Sequence, residues 1–457
     1  MKHKFNPFII REYDIRGVFK ESLNLIDAEI FGYIFAKTLI GNKIVNVGMD
    51  GRHSSLPLKE YLLKGLINGG ANVFEIEVGP TPMLYYSSYL NDAEAGIMIT
   101  GSHNPASHNG FKVIKNNSPF FGKELKKLTD KTIEYKKKQS SLKSRKLVTK
   151  IKYVNKLITC LNQKKELNIA WDAGNGSAGE VMKSLSKSVK GNQVLLFCNI
   201  DGNFPNHHPD PSVPENLKDV INVVKEKKLD FGIAFDGDGD RIGVVDNNGK
   251  IVPGDILLLI YAQELILKKN DAKIIADVKC SQVLFDYIKK IGGQSFMSKT
   301  GHSLIKQMMK KEKADIAGEM SGHMFFADKY YGYDDALYAA VRLINLVSSS
   351  EKKLSEIVNN FPKTFNTPEI RIECSDELKF SVVEKIVRNQ KNRNAILIDG
   401  LRVKEEEGWW LLRASNTQPC LVIRCEANSE DNLKKIVSKV KLELKKISKD
   451  LSNQIIA

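Results

Sequence analysis

The feature that most constrains the fold is an alternation of apolar, strand-like runs with amphipathic, helix-like ones. The strand-like runs, most of which end in a polar loop, are "KIVNVGMD", "NVFEIEVG", "AGIMITGS", "LNIAWDAG", "QVLLFCNI", "LDFGIAFDGDGD" and "KIIADVKCS". Strands that alternate with helices form mostly parallel sheets, and the loops at the carboxyl ends of such strands carry function. The sequence therefore predicts α/β units whose strand-end loops are the candidate functional sites.

The length of the chain and a change of pattern near its C-terminus predict four domains. A chain of 457 residues is too long for a single hydrophobic core. In the last part of the chain short strands follow one another closely, which indicates a small α+β domain with an antiparallel sheet. We predict α/β domains over 1–150, 151–250 and 251–364, and an α+β domain over 365–457. No repeat is visible in the sequence, although three similar α/β layers would fit its length.

The composition is that of a globular protein without a membrane partner. Hydrophobic residues make up 42% of the chain and charged residues 27%. The longest apolar stretch, 256–267, is shorter than the roughly 18 residues that a membrane span needs, and the N-terminus lacks a signal-peptide pattern. Six cysteines without a C-x-x-C pair are typical of reduced thiols. We expect a cytoplasmic protein.

The formal net charge of +15 raises the possibility of an anionic macromolecular partner. The lysine-rich stretches have helical spacing or the composition of a linker, and they lack interleaved aromatic residues. The sequence also contains no motif of a nucleic-acid-binding module. Basic blocks of this kind are usually solvated helix faces. We therefore expect no nucleic-acid partner, and salt-sensitive retention on duplex DNA would support the rival hypothesis.

The segment "FDGDGDR" places three carboxylates at alternate positions where a buried strand ends. In an extended strand Asp236 and Asp240 would lie about 13 Å apart, too far for one ion. Gly237 and Gly239 can adopt positive φ angles that bring the carboxylates together with Asp238. Converged carboxylates repel by about 4 kcal/mol per pair at an effective dielectric constant near 20. A dication, best Mg²⁺, would compensate this repulsion, whereas the alternative interpretation is a solvated acidic turn.

The segment "GIMITGSHNPASHNGFK" presents a serine at the end of another strand. Gly101 permits a close backbone approach, so Ser102 is a candidate for a serine that carries phosphate. A hydrolase nucleophile elbow would need glycines where Thr100 and Asn104 stand. Lys112 is a candidate base or phosphate donor. The alternative is a turn stabilised by Ser and Asn side chains.

Further loops contain residue types that bind sugars and phosphates. "GEMSGH" (318–323) brings Glu319, Ser321 and His323 to one side of an extended loop, where they would suit sugar hydroxyls. "RASNTQP" (413–419) offers a guanidinium, hydroxyls and backbone N–H groups, which together form a phosphate cradle. The other interpretation of this second loop is an ordinary polar hairpin turn. Arg16 in "REYDIRG" and His302 in "KTGHSLIK" add further polar candidates, although a lone histidine is more often structural.

A glycine-rich turn provides the main competing hypothesis. Gly174, Gly176 and Gly179 follow a predicted strand with a spacing that approximates a dinucleotide fingerprint, and Asp201 ends the next strand. Asp172 stands directly before the turn, where its charge would repel a pyrophosphate. Glycine turns between a strand and a helix also occur for packing alone. A nucleotide-dependent oxidoreductase is therefore the less favoured alternative.

Four of these motifs together are more specific than any one. In this order and at these separations, "TGSHNP", "DGDGDR", "GEMSGH" and "RASNTQP" resemble the α-D-phosphohexomutase family over nearly the whole chain. Within that family the chain looks most like the bacterial phosphomannomutase/phosphoglucomutase branch. Phosphoglucosamine mutases, the alternative within the family, resemble "GEQSGH" and "SGTEP", whereas this chain has Met320 and "SNTQP". Gly101 stands where many members have Ala, a small-for-small change.

The resemblance implies an architecture and a reaction. It implies three mixed α/β domains and a mobile C-terminal α+β domain around a central cleft. It also implies an isomerase that moves phosphate between O1 and O6 of mannose phosphates and of glucose phosphates. The phosphate would pass through a phosphoserine enzyme and a hexose 1,6-bisphosphate. Hexose phosphates would be the substrates and one Mg²⁺ per subunit the cofactor, in a monomer or weak dimer.

The resemblance further implies roles for individual residues. Asp236, Asp238 and Asp240 would hold Mg²⁺ together with the phosphate on Ser102. The implied catalytic residues are Ser102, Lys112, Arg16, His302 and Arg241. The implied substrate-binding residues are Tyr13, Lys279, Glu319, Ser321, His323, Arg413, Ser415, Asn416 and Thr417.

Overall fold

The fold was analysed in a computed structural model that describes residues 1–136, 143–389, 394–416 and 418–455. Three consecutive α/β units are followed by a unit built on an antiparallel sheet, so the predicted fold class is confirmed. The exact domain boundaries given above stay a prediction. Within the described ranges no helix is long and apolar enough to cross a membrane.

The first unit is a mixed sheet with helices on its faces. Its elements are β1 (Lys2–His3), β2 (Ile15–Val18), α1 (Leu25–Ala36), β3 (Ile44–Met49), α2 (Ser55–Asn68), β4 (Asn72–Glu75), α3 (Thr81–Leu90), β5 (Ala95–Ile99), β6 (His108–Lys115), β7 (Ser118–Pro119), α4 (Gly122–Thr129), β8 (Ile133–Glu134) and β9 (Arg145–Lys146). The main strand order is β2-β6-β5-β3-β4-β9, and β7 pairs with β6.

The second and third units are smaller. The second contains α5 (Lys150–Thr159), β10 (Ile169–Asp172), α6 (Gly179–Ser186), β11 (Gln193–Leu196), α7 (Lys218–Glu226), β12 (Phe231–Phe235), β13 (Ile242–Asp246) and β14 (Ile251–Val252). The third contains α8 (Gly254–Ile266), β15 (Lys273–Asp277), α9 (Gln282–Lys290), β16 (Gln294–Ser298), α10 (His302–Glu312), β17 (Ile316–Gly318), β18 (Met324–Phe326), α11 (Ala336–Ser348) and α12 (Leu354–Val358). Their strand orders are β11-β10-β12-β13-β14 and β16-β15-β17-β18.

The three α/β units repeat one arrangement of four strands. The orders β4-β3-β5-β6, β11-β10-β12-β13 and β16-β15-β17-β18 each contain three parallel strands and one antiparallel return strand. In each unit the loop before the return strand connects the last parallel strand to its antiparallel neighbour. Ser102, the triad Asp236–Asp240 and Glu319 lie in these three equivalent loops. The repeat that the sequence did not reveal is therefore a structural one.

The fourth unit is antiparallel throughout its sheet. Its elements are β19 (Phe365–Asn366), β20 (Ile370–Glu373), α13 (Lys379–Asn389), β21 (Ala395–Ile396), β22 (Leu401–Lys404), β23 (Gly408–Ala414), β24 (Cys420–Ala427), α14 (Glu430–Lys445) and α15 (Lys449–Asn453). The main path runs β19-β24-β23-β22-β21, with β20 also paired to β24. Arg413 and Ala414 of the "RASNTQP" segment end β23, and Ser415 and Asn416 follow it toward β24.

The hydrophobic cores show how the units are joined. One apolar cluster runs through the second and third units and reaches α3 of the first, whereas the fourth unit has a cluster of its own. A small cluster of Val278, Trp409 and Leu411 connects the fourth unit to the third. Arg402 reinforces this joint, because its guanidinium lies 3.7 Å from the Trp409 ring centroid and donates to the Val278 carbonyl at 2.6 Å.

Helices α1 and α2 pack unusually closely, and two glycines permit it. A Cβ on Gly65 would lie 1.9 Å from the carbonyl oxygen of Glu29, and one on Gly32 would lie 2.5 Å from that of Leu62. Both obstacles are backbone atoms, which cannot rotate away as a side chain can. The absence of a side chain at these positions therefore sets the distance between the two helices.

We expect Gly65→Ala to destabilise the first unit by about 1–3 kcal/mol, the usual cost of overpacking. Helix propensity alone would favour alanine by about 1 kcal/mol, so the packing argument predicts the opposite sign. Urea unfolding of the full chain measures the effect. Glu60→Ala on the exposed face of α2 is the control and should change stability by less than about 0.5 kcal/mol. A Gly65→Ala protein as stable as the unchanged chain would contradict the packing argument.

Candidate functional site

The serine proposed to carry phosphate is held in an unusual backbone conformation. Ser102 has a φ of 49°, which a non-glycine residue adopts at a cost, and such strain is concentrated at functional sites. Its N–H donates to Thr100 Oγ1 at 2.8 Å, and its own hydroxyl donates to Asp236 Oδ2 at 3.0 Å. The side chain is buried. The first two strand-end loops therefore meet at the Ser102 hydroxyl.

A buried guanidinium holds the Ser102 loop by hydrogen bonds to its backbone carbonyls. Arg52 donates to the carbonyl oxygens of Ser102 at 2.7 Å and of Asn104 at 2.6 Å. It also donates to those of Pro105 at 2.5 Å and of His108 at 3.1 Å, so one side chain satisfies four carbonyl groups of a single loop.

A carboxylate beneath the same loop orients this guanidinium. Asp50 Oδ2 accepts from Arg52 Nε at 3.2 Å and from the Gly101 N–H at 3.2 Å. A Cβ on Gly101 would lie 2.5 Å from Arg52 Cζ. A Cβ at this position would therefore require the guanidinium and the His108 carbonyl, 2.7 Å away, to shift.

The acidic loop curls as expected, but its two glycines are needed for different reasons, one for its backbone conformation and one for its lack of a side chain. Gly239 has a φ of +70°, as the sequence predicted. Gly237 does not have a positive φ; a Cβ there would instead lie 2.4 Å from the Ser102 carbonyl oxygen. The carboxylate of Asp236 closes the loop, because its Oδ1 accepts from the N–H groups of Asp240 at 3.0 Å and Arg241 at 3.1 Å.

Cationic side chains from neighbouring units compensate the acidic loop. Lys112 Nζ lies 2.7 Å from Asp238 Oδ2 and 2.5 Å from Asp240 Oδ2. Burial lowers the pKa of Lys112, but the three aspartates outweigh burial and raise it above its ordinary value. Burial and the two neighbouring carboxylates raise the pKa of Asp236. Burial also acts to raise the pKa of Asp240, yet Lys112 and His323 hold it well below its usual range.

The acidic loop has the donor set of a divalent cation site. One oxygen of each of the three carboxylates lies within 4.8 Å of the others, and all three side chains are fully buried. Asp238 Oδ1 is buried and has no hydrogen-bond partner among the described residues. An unsatisfied buried carboxylate oxygen is costly, and oxygen ligands are those that Mg²⁺ prefers. The residues present therefore fit a hard dication.

The third equivalent loop brings its three expected residues together by a turn. Gly322 has a φ of +97° and donates to the Glu319 carbonyl at 3.0 Å, so the loop is not extended as predicted. His323 Nδ1 lies 2.8 Å from Glu319 Oε2 and 3.2 Å from Ser321 Oγ. Burial raises the pKa of Glu319, but hydrogen bonding to His323 and the charge of His323 outweigh it and lower the pKa to about 2.

His323 also links the third unit to the acidic loop. Its Nε2 lies 3.2 Å from Asp240 Oδ1. Burial lowers the pKa of His323, whereas Asp240 raises it, with a net value of about 9. Arg241 lies alongside, with its Nε 3.5 Å from His323 Nε2. The imidazolium thus compensates Asp240 on one side and Glu319 on the other.

His302 begins α10 and stacks on His323 with ring centroids 5.4 Å apart. Its Nδ1 lies 2.9 Å from Asp334 Oδ2, and Lys306 Nζ donates to the other Asp334 oxygen at 2.7 Å. Burial and the charge of Lys306 lower the pKa of His302 despite Asp334. His302 is therefore a neutral imidazole with a fixed orientation.

The cations expected to bind a substrate phosphate form a second group, around the fourth unit. Arg413 Nε donates to Asp399 Oδ2 at 2.8 Å, and Lys279 Nζ lies 3.2 Å from Glu369 Oε2. Ser415 Oγ accepts from the N–H of Gln418 at 3.1 Å. Thr417, also expected here, lies outside the described residues.

Tyr13 joins this second group to the rest of the site. Its hydroxyl donates to the Thr300 carbonyl at 2.7 Å and accepts from Asn416 Nδ2 at 2.6 Å. Gly301 permits the contact, since a Cβ there would lie 2.5 Å from the Tyr13 ring. Arg16, from the same segment, donates to Asn104 Oδ1 at 2.9 Å beside the Ser102 loop. Three units therefore meet at one tyrosine.

The competing glycine-rich turn is explained by packing. A Cβ on Gly176 would lie 3.0 Å from Gly237 Cα, and one on Gly179 would lie 2.1 Å from the Cys198 carbonyl oxygen. Gly174 adopts a φ of +49°. Asp172 is buried and lies 2.9 Å from His207 Nε2, so its carboxylate stands at the turn where a pyrophosphate would bind. The turn supports the acidic loop rather than forming a nucleotide cradle.

Several residues of the site were missed in the sequence. Thr81 Oγ1 donates to Asp238 Oδ2 at 2.5 Å, and Arg52, Asp334, Asp399 and Glu369 make the contacts described above. Arg52 and Thr81 follow the ends of β3 and β4, so the rule that pointed to the other loops could have identified them. The remaining three are single acids whose partners in the site lie 14 to 90 residues away in the chain and outside any shared motif.

Consecutive parts of the chain match the domains of one family in order. The matches are to Phosphoglucomutase/phosphomannomutase alpha/beta/alpha domain I over residues 8–140, domain II over 151–249, domain III over 253–365 and the C-terminal domain over 369–443.

Relatives match over nearly their whole length. A phosphomannomutase/phosphoglucomutase from Pseudomonas putida is 42% identical, with 97% of this chain and 96% of that protein covered. A phosphoglucomutase from Neisseria gonorrhoeae is 40% identical over 95% of this chain and 96% of its own. A crystal structure of a phosphoglucomutase/phosphomannomutase family protein from Burkholderia thailandensis superposes with a TM-score of 0.91 at 36% identity, covering 98% and 99% of the two chains. The chain belongs to the phosphoglucomutase/phosphomannomutase family.

Proposed function

We propose that this enzyme transfers phosphate between O1 and O6 of hexose phosphates, with Ser102 as the residue that carries the phosphate. The observation that carries this proposal is the contact of 3.0 Å between the Ser102 hydroxyl and Asp236, in a loop where three buried carboxylates converge. A serine in such surroundings is poorly suited to acyl transfer, because an oxyanion would be repelled. A phosphoryl group held with a dication is suited to them.

The reaction has two half-reactions of opposite direction. In the first, the phosphoryl group of phospho-Ser102 passes to the free O1 or O6 of a hexose monophosphate, which loses its hydroxyl proton. The hexose 1,6-bisphosphate that results turns over in the cleft. In the second, its other phosphoryl group returns to Ser102 Oγ, and the sugar oxygen regains a proton. The net result is an isomerised hexose monophosphate and the original phosphoserine.

The charges of the site support distinct roles for its cations and for His302. Lys112, whose ammonium lies 2.7 Å from Asp238 and 2.5 Å from Asp240, would stabilise the anionic phosphoryl oxygens. Arg241 and Arg16 add positive charge beside the same loops. His302 is neutral, and with Nδ1 directed to Asp334 its Nε2 is the atom that exchanges a proton with the sugar hydroxyl.

Asp236, Asp238 and Asp240 would hold Mg²⁺ together with the phosphate on Ser102. When bound, this ion supplies neutralising charge to the phosphoryl group. The cytoplasmic location and the monomer or weak dimer expected from the sequence belong to the proposal as well.

The second group of cations would fix the phosphate that is not being transferred. Arg413 and Lys279 are paired with Asp399 and Glu369, so a bound phosphate would replace a carboxylate at each. A guanidinium fork binds phosphate without reading which carbon bears it, which suits a substrate bound in two orientations. Glu319 and Ser321 would bind O3 and O4 and make no contact with the 2-position. Mannose and glucose differ only at that position.

We expect both mannose 1-phosphate and glucose 1-phosphate to be converted to their 6-phosphates. Coupled assays with the two substrates side by side, with a trace of 1,6-bisphosphate and Mg²⁺, measure this. Glu319→Ala should reduce kcat/KM for both sugars by a similar factor, because Glu319 contacts no group that differs between them. Glucosamine 1-phosphate tests the alternative within the family. Turnover of glucosamine 1-phosphate alone, or of one hexose without any of the other, would contradict the proposed specificity.

Asp238→Asn should weaken Mg²⁺ binding at least tenfold and lower kcat, because the variant removes one of three anionic ligands. Mg²⁺ should raise the Tm of the unchanged enzyme through linkage, and this rise should be lost at the same ion concentration in the variant. Thermal unfolding across a Mg²⁺ series gives a readout that does not depend on activity. Glu226→Gln, on the exposed end of α7 in the same unit, is the charge-matched control. Equal Mg²⁺ dependence in the two variants would refute the metal assignment.

Arg52→Lys should lower kcat at least tenfold and leave KM for hexose phosphate within about twofold. A lysine ammonium cannot span the four carbonyls that the guanidinium fork satisfies, so Ser102 would leave its strained conformation. The fraction of Ser102 found phosphorylated by peptide mass analysis should fall in parallel. Arg145→Lys, exposed on β9 of the same sheet, is the matched control. Because Arg52 is expected to act by positioning the Ser102 loop, a raised KM together with a normal phosphoserine content would contradict this role.

A further inference from the structure

A cavity lies between the first and third units beside the proposed catalytic site, to which Lys306 of its lining is joined by an ion pair of 2.7 Å with Asp334. It has a volume of about 830 Å³ and is bounded by α3, the turn between β6 and β7, α10 and the loop after β18. Ser102, the aspartate triad, Glu319 and Arg413 are not among the described residues that line it. This volume falls in the range of small-molecule sites. Nothing in the proposed reaction uses it.

One wall of the cavity is aromatic. Tyr85 and Tyr89 stand one turn apart on α3 and face Tyr331 and Tyr333 of the loop after β18. The ring centroids of Tyr89 and Tyr331 are 4.4 Å apart, and the Tyr331 and Tyr333 rings are parallel to within 2°. Flat aromatic faces of this kind bind planar rings by stacking.

The opposite wall is basic. Lys306 and Lys310 stand one turn apart on α10, and Lys313 directly follows the helix with a φ of 52°. Lys311 adds a fourth ammonium group. Lys310 Nζ donates a hydrogen bond to a neutral group, the Ser118 hydroxyl, at 3.1 Å. Lys306 lies deepest, with its side chain 9% exposed, and its ammonium lies 4.4 Å from the Tyr85 ring centroid.

The acidic lining does not balance these lysines. Asp315 is the single carboxylate among the described lining residues. Both of its oxygens are already engaged, Oδ1 with Lys269 Nζ at 2.6 Å and Oδ2 with the Lys273 N–H at 2.9 Å. Lys306 is paired with Asp334 at 2.7 Å and Lys311 with Glu312 at 3.4 Å. The excess of positive charge at the cavity therefore rests on the exposed Lys310 and Lys313, for which the described residues supply no ion pair. The cavity differs in this from the proposed catalytic site, where Glu319 offers a carboxylate.

We propose that this cavity binds a nucleoside phosphate. The base would stack on the tyrosine rings, and the phosphates would lie among the lysines of α10. Neither wall alone specifies this class, since inorganic phosphate would need only the lysines and a neutral aromatic compound only the tyrosines. Because Tyr85 and Tyr89 belong to the first unit and the lysines to the third, a bound molecule would bridge the two units.

Isothermal titration calorimetry of the full chain with GDP and ADP tests the proposal directly. We expect at least one of the two to bind with a micromolar Kd, and guanosine and inorganic phosphate to bind at least tenfold more weakly. Saturating glucose 1-phosphate should leave the nucleotide affinity unchanged, because none of the described residues expected to bind the sugar phosphate lines the cavity. Absence of binding at millimolar nucleotide, or displacement by glucose 1-phosphate, would overturn the proposal.

Two sets of variants locate the bound nucleotide. The double variant Lys310→Glu/Lys313→Glu changes exposed side chains and should weaken nucleotide binding at least tenfold while leaving mutase activity unchanged. Tyr89→Ala should weaken it as well by removing a stacking face. Lys434→Glu/Lys435→Glu on exposed α14 makes the same change in net charge far from the cavity and should have no effect. Equal weakening by the two double variants would show a response to net charge and overturn the proposed site.

Discussion

The mutual repulsion of Asp236, Asp238 and Asp240 is the constraint on which the rest of the site depends. At this spacing each pair of charges costs about 4 kcal/mol at an effective dielectric constant near 20. Arg241 of the second unit offsets part of this cost at Asp236. Lys112 comes from the first unit and His323 from the third. Charge compensation of the acidic loop therefore draws on side chains of all three units. The charge compensation of the proposed catalytic site thus depends on how the units pack against one another.

A second constraint is the close approach of loop backbones. Gly237 meets the Ser102 carbonyl, Gly301 meets the Tyr13 ring, and Gly101 leaves room for Arg52. Each contact would be blocked by a single Cβ. The strained φ of Ser102 is maintained by the same surroundings, because four carbonyl groups of its loop converge on one guanidinium. Strain at one residue is thus balanced by hydrogen bonds distributed over a whole loop.

Much of the fold and of the candidate site could be predicted because the signals are local in sequence. The alternation of strands and helices gave the fold class, and four short motifs led to the family and to Ser102, the triad, Glu319 and Arg413. What could not be predicted depends on partners distant in the chain. Asp399 is an ordinary turn residue until β22 and β23 bring it to Arg413. The positive φ predicted for Gly237 was wrong for the same reason, because the residue that excludes a side chain there, Ser102, belongs to another unit.

The three α/β units place their functional loops at the same point, between the last parallel strand and its antiparallel return strand. The three loops are not independent of one another, because Ser102 of the first donates to Asp236 of the second, and His323 of the third lies 3.2 Å from Asp240. A chain that arose by joining copies of one such unit could acquire a serine in one loop, acids in the second and a glutamate in the third. Natural selection would then act on the three loops together, as coevolving parts of a cleft that was inherited with the architecture.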